Sequence, residues 1–206
     1  MKPPGSTRTF RPQRGFESLP HHWDHSAQSW IVQILPGDYY VTNGEEIIST
    51  VLGSCVSTCI RDPQTGWAGL NHFMLPQDPS AQDAGRSLRY GCFAVERVIN
   101  ELLKRGAQRE RLEVKVMGGG QVIASMSDVG MSNVKFVREY LRDEGIPIAV
   151  EDVGGRVARR LRYYPRSGKV LIKHLPMREA AGVVAEERDF SKRLEQKPIA
   201  GEVELF

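Results

Sequence analysis

A thiol and an imidazole that can be brought together are the least equipment a cysteine nucleophile needs, because the thiolate attacks and the imidazole takes its proton. The stretch S-T-V-L-G-S-C-V-S-T-C-I-R-D-P-Q-T-G-W-A-G-L-N-H-F-M-L, residues 49–75, offers such a pair. Cys55 follows a Leu52-Gly53-Ser54 turn, and His72 lies seventeen residues later in a second apolar run. Gly53 permits close backbone approach to a bound group, and the amides around Gly53 and Ser54 could face a developing oxyanion. The competing reading is a cysteine that merely packs, since free cysteines are among the most buried residues.

The elements that must position this pair can be read from periodicity. Val56, Thr58 and Ile60 alternate with Cys55, Ser57 and Cys59, a period-two pattern rich in β-branched residues, hence a strand. Asp62–Gly66 has turn chemistry, and Trp67–Leu75 reads as the returning strand of a hairpin. Upstream, Ile31–Leu35 and Tyr39–Val41 read as strands, and Asn43-Gly44 predicts a type I′ hairpin leading to a strand at Ile47. Downstream, Gln77–Arg86 reads as a surface loop and Leu88, Cys92, Val95, Ile99 and Leu102 form one helical face. Leu112–Val116 reads as a strand, and a second helix is expected from a cap at Ser132 or Asn133 to Gly145. A strand at Ile146–Val150 and a hairpin of Val157–Tyr164 with Lys169–His174 complete the pattern. Strands, helix, strand, helix, strands describe a mixed α/β or α+β single domain rather than a regular parallel array.

Residues 1–29, with four prolines and no apolar period, read as a disordered or loosely ordered extension, 30–176 as the domain, and 177–206 as a charged tail with at most one short helix. A net charge of +3 over 206 residues does not by itself call for nucleic acid or membrane. Three cysteines without framework spacing, no signal-peptide pattern and no long apolar run point to a reducing, cytoplasmic compartment.

Other constellations compete for the chemistry. Cys55, Cys59 and His72 could be counted as metal ligands, but residues four apart on a strand are separated by about 13 Å, whereas Zn–S bonds are about 2.3 Å. No metal site is expected there. His21, His22 and His25 lie in a segment read as lacking rigid support, so they too are read as polar tail. Met117-Gly118-Gly119-Gly120-Gln121 lacks the third glycine of a dinucleotide loop and the Gly-Lys-Ser/Thr of a phosphate loop. Arg156–Lys173 carries seven basic and no acidic residues, which on this chain reads as a solvated basic hairpin or a docking face for an acidic protein, not a nucleic-acid site. Cys92 falls on an apolar helix face and reads as an inert packing thiol.

The segments T-V-L-G-S-C-V-S-T-C-I-R-D and G-L-N-H-F-M-L-P, with Arg89-Tyr90-Gly91, the M-G-G-G at 117–120, G-M-S-N at 130–133 and E-D-V-G-G-R at 151–156, resemble the CheD family of chemoreceptor glutamine deamidases. The likeness runs from about Ile34 to His174. It implies an α/β domain with a β-sandwich-like core flanked by two or three helices. It also implies Cys55 as nucleophile, His72 as general base and acid, and a hydroxyl six residues before the cysteine to orient the imidazole. That position holds Ser49, with Thr50 next along as the alternative.

The activity so implied is hydrolysis of glutamine side-chain amides on methyl-accepting chemotaxis receptors, without cofactor or metal. Partners would be those receptors and a CheC-type phosphatase, with membrane contact only through receptors. A non-catalytic adaptor that docks on receptors or CheC is the alternative. A redox thiol protein would need a nearby resolving cysteine, and Cys59 lies too far along the strand.

Overall fold

The computed structural model describes residues 10–75, 84–122 and 127–196. Its elements, in chain order, are β1 (His21–Asp24), β2 (Ser29–Gln33), β3 (Tyr39–Thr42), β4 (Ile47–Leu52), β5 (Val56–Arg61), β6 (Ala68–Asn71), α1 (Ala84–Leu103), β7 (Glu113–Gly118), α2 (Ser127–Asp143), β8 (Ile148–Val153), β9 (Ala158–Tyr164), β10 (Lys169–Leu175) and α3 (Met177–Gln196). They form two five-stranded mixed sheets. One has the order β1-β2-β4-β9-β10 and the other β3-β6-β5-β7-β8. Pairing is antiparallel except between β2 and β4 and between β7 and β8.

Both sheets contribute to one continuous core, which includes Ile48, Leu52 and Leu161 from the first and Val56, Ile60, Val114 and Val116 from the second. α1 and α2 pack on the second sheet, and α3 touches β9 and β10 of the first. This is the expected mixed α/β architecture. β5 shows why its sequence is apolar or β-branched on both faces: five of its six residues are buried.

The chain passes from the first sheet to the second at Gly53–Cys55, between β4 and β5. β5 and β6 form the expected hairpin, and an isolated bridge Val56↔Phe73 continues it to its open end. Cys55 immediately precedes that bridge and His72 is adjacent to it, so the hairpin register brings the two to one end.

Four expectations need correction. Residues 10–29 belong to the fold: β1 pairs with β2 through Trp23↔Trp30, and Phe16 and Leu19 are buried. The stabilisation is aromatic and local, with Phe10 stacked on Trp30 and edge-on to His21, a pattern that apolar periodicity does not report. Asn43-Gly44 makes no hairpin, because β3 and β4 lie in different sheets and neither turn residue has positive φ. The crossing is closed instead on Glu46, whose carboxylate accepts from Tyr40 Oη at 2.7 Å and Thr42 Oγ1 at 2.6 Å. α2 begins before Ser132, so Asn133 is a buried mid-helix residue and not a cap. The C-terminal segment forms a twenty-residue helix through Gln196. The first nine residues, most of the expected 77–86 loop and 197–206 lie outside the described residues.

Candidate active site

The turn Gly53-Ser54-Cys55 belongs to neither sheet, so its backbone groups need partners from elsewhere. Its three carbonyls are held from behind. Gly120 N donates to Gly53 O at 2.7 Å, Asn133 Nδ2 to Ser54 O at 2.9 Å and Gly119 N to Cys55 O at 2.8 Å. Asn133 also accepts from Leu75 N at 2.8 Å, tying the turn to the segment that follows His72. The M-G-G-G run is therefore a backing plate for the nucleophile turn. A Cβ on Gly118, whose φ is +112°, would stand 2.3 Å from Cys55 O. Only glycine fits there.

With the carbonyls fixed, the three amides point the other way and converge. Gly53 N, Ser54 N and Cys55 N lie 2.8, 2.7 and 3.1 Å from the carboxylate oxygens of Glu187 on α3, and Ser54 Oγ adds a fourth donor at 2.8 Å. Three consecutive N–H groups aimed at one anion form a preorganised anion-binding concavity. A Cβ on Gly53 would strike Glu187 Oε2 at 2.6 Å, which explains the glycine of L-G-S-C.

His72 is buried at the end of β6, and its Nδ1 is 2.7 Å from Thr50 Oγ1. Thr50 Oγ1 also donates to Ile34 O at 2.8 Å. A hydroxyl has one hydrogen, so toward His72 it accepts. Nδ1 then carries the ring proton, and Nε2, which has no hydrogen-bond partner among the described residues, holds the lone pair. The structure thus places Thr50 on the imidazole and Ser49 elsewhere: Ser49 Oγ donates to Leu161 O at 2.9 Å. Strand alternation is the reason. Thr50 shares the core-facing side of β4 with Ile48 and Leu52, and Ser49 faces the opposite way.

Cys55 Sγ, a ring nitrogen of His72 and a carboxylate oxygen of Glu187 lie within 4.8 Å of one another. Such a trio is within range of a metal set, but both Glu187 oxygens are already engaged by N–H and O–H donors. Burial raises the Cys55 thiol well above its usual range, and the Glu187 charge and hydrogen bond beside it raise it further. Burial lowers His72 to about 3. With α3 docked, the pair is therefore a neutral thiol beside a neutral imidazole.

Cys59 is buried in β5 opposite Leu70 and takes no part, and Cys92 on α1 is half-buried rather than buried. The residues missed from sequence are Asn133, which looked like a helix cap, and Glu187, which lies in a segment read as tail. The G-M-S-N landmark was the available signal for the first. For the second, only the 3.6-residue spacing of Ala180, Glu187, Phe190 and Ser191 could have served.

Residues 74–174 match the family described as CheD chemotactic sensory transduction. A protein called probable chemoreceptor glutamine deamidase CheD from Hahella chejuensis is 44% identical over 197 residues, covering 93% of this chain and 92% of the relative. Its namesake from Methylobacillus flagellatus is 45% identical over 190 residues, covering 90% and 94%. The one from Bordetella petrii is 49% identical over 173 residues, covering 82% and 78%. A solved structure, the Bacillus licheniformis hypothetical protein YfiH, aligns with a TM-score of 0.36 and 14% identity over 55% of this chain and 49% of its own, too slight a likeness to carry an argument. Identity above two fifths along nine tenths of the chain, spanning the nucleophile turn, the imidazole and their backing residues alike, means that the chain belongs to the CheD family.

Proposed function

We propose that the chain hydrolyses glutamine side-chain amides on chemoreceptors, with Cys55 as nucleophile, His72 as general base and acid, and Thr50 orienting the imidazole. The observation that carries this is the convergence of three buried amides beside a thiol whose neighbouring imidazole is held in the Nε2-basic tautomer. The amide oxygen of the substrate takes the place of a Glu187 oxygen. Nε2 accepts the thiol proton, and the sulfur bonds to the amide carbon. The resulting oxyanion is held by Gly53 N, Ser54 N and Cys55 N, each such donor being worth about 2.7–4 kcal/mol where one has been removed from an enzyme. The imidazolium gives its proton to the departing ammonia and leaves a thioester. Water then adds to that carbon, Nε2 takes its proton, and the carbon–sulfur bond breaks to give glutamate. Thr50 keeps Nδ1 protonated throughout. No metal or cofactor is assigned a step.

Receptor contact follows from this activity, and a CheC-type partner and a cytoplasmic setting belong to the same reading. Among the described residues no helix is long and apolar enough to cross a membrane. The basic hairpin is a weaker docking face than its composition suggests. Arg159 is buried against Asp152, Arg162 pairs with Asp24, and Arg166 pairs with Glu45, which leaves Arg160 exposed between them.

The test is incubation with a cytoplasmic receptor fragment, following ammonia release and the amide-to-acid mass change, with Cys55→Ser and His72→Ala in parallel. Conversion by the wild type that is lost in both variants is expected. Receptor that is bound but never converted would replace the enzyme with an adaptor.

A further inference from the structure

We infer that α3 is a built-in product mimic: a helix that seats the Glu187 carboxylate where the reaction leaves a glutamate carboxylate, so that the site is closed until α3 withdraws. This rests on the proposed reaction for the meaning of the mimicry, but the closure itself rests on geometry. Glu187 is fully buried, it engages all three amides of the nucleophile turn and the Ser54 hydroxyl, and its oxygen lies within 4.8 Å of the thiol and the imidazole. No substrate oxygen can use those amides at the same time. Among the described residues Glu187 has no basic side-chain partner, so the concavity itself is its counter-charge.

The rest of α3 is attached lightly. Ala180, Glu187, Phe190 and Ser191 are its buried described residues; Phe190 lies against Gly37 near Tyr90, and the half-buried Leu194 packs on the same core. Most of the other described α3 side chains are exposed. A helix with so small a buried face, seated through its carboxylate, is suited to exchange with another helix that offers the same carboxyl or amide group. The chemistry of the seat thus names its competitor as a glutamine- or glutamate-bearing helix. As a tethered ligand, α3 lowers the apparent affinity for that competitor in proportion to the closed fraction.

The test uses the full chain. In Glu187→Ala and, separately, Phe190→Ala, the rate of Cys55 alkylation by iodoacetamide is expected to rise tenfold or more over wild type, and receptor deamidation to rise with it. Phe190→Ala leaves the amides and the carboxylate chemically intact, and thermal melts confirm that each variant is folded. Alkylation unchanged in both variants overturns the closure, whatever happens to deamidation. Faster alkylation without receptor conversion by any form leaves the closure standing and removes the proposed reaction instead. A third variant, Glu187→Gln, presents the substrate group in the seat. Peptide mass analysis should show the introduced amide converted back to the acid in cis, at a rate independent of protein concentration and abolished by adding Cys55→Ser. An introduced side chain that stays an amide while receptor is converted refutes the product mimicry.

Discussion

Thr50→Val is the most informative single change, because it alters one atom's chemistry at nearly constant volume. In the wild type the Thr50 hydroxyl serves two buried groups, accepting from His72 Nδ1 at 2.7 Å and donating to Ile34 O at 2.8 Å. Valine leaves both without a partner in a place that water does not reach. Leaving a buried group unsatisfied costs about 1–3 kcal/mol each, so the variant should lose about 2–6 kcal/mol of stability. For a chain of this size each kcal/mol moves Tm by about 2–4 °C, so the melt should fall by roughly 5–20 °C. Catalysis should suffer separately. Without Thr50 nothing holds the proton on Nδ1, and the tautomer with Nε2–H cannot accept the thiol proton; a comparable tautomer loss in a serine protease, the worked example for such triads, costs about 10⁴-fold. A fall in kcat of at least about a hundredfold is therefore expected in receptor deamidation assayed well below the variant's Tm. Ser49→Ala is the control. It removes one hydrogen bond, to Leu161 O on β9, worth about 0.5–1.5 kcal/mol, and should leave kcat within about twofold. Thr50→Ser should recover most of the activity. Loss of activity in Ser49→Ala with retention in Thr50→Val would refute the tautomer argument and return the orienting role to Ser49.

Other expectations follow from the same contacts. Gly118→Ala forces a side chain into positive φ and against Cys55 O, so it should cost well over 1 kcal/mol and reduce kcat at unchanged receptor binding, measurable by chemical denaturation and single-turnover assay. His72 is lowered by burial from its ordinary 6.5 to about 3, so the unfolded chain binds a proton there that the folded chain refuses. Its contribution to stability is present above about pH 6.5 and is lost as pH falls toward 3, at up to about 1.4 kcal/mol per pH unit, and urea melts between pH 6.5 and 4.5 should lose that slope in His72→Gln. That window lies above the one in which Asp62 acts. Burial pushes its carboxyl up, but Arg111 and the amides of Gln64 and Gln108 outweigh this and bring it to about 2. Arg159→Glu should unfold the protein through its buried pairing with Asp152 and Gly154 O, whereas Arg160→Glu should fold normally, which circular dichroism separates from any change in receptor affinity.

The parts of this molecule legible in its sequence are those governed by local rules. Alternation in 55–60 and the turn at 62–66 suffice to place Cys55 and His72 at one end of a hairpin, because register follows from the turn and the buried face. Ser49 against Thr50 was legible too: Ile48 and Leu52 mark the core side of β4, and the residue between them on that side is Thr50. Asn43-Gly44 misled because local turn preference yields when the flanking strands belong to different sheets. β1 was hidden because its support is a cluster of aromatic rings around Trp30. Glu187 lies more than 130 residues from the turn it fills, and beyond the helical spacing that sets it on the buried face of α3 nothing in its own helix marks the role of its carboxylate.

The crossing of the chain from one sheet to the other at Gly53–Cys55 makes this site a sensor of its own tertiary assembly. Thr50 is delivered by the first sheet, His72 by the second, and Cys55 by the link between them. Either sheet could keep its full hydrogen-bonded ladder and still contribute only a fragment of the apparatus. Parting the two sheets would separate Thr50 from His72 without breaking either ladder. The orienting hydroxyl and the imidazole it serves are thus joined only through the docking of one sheet on the other.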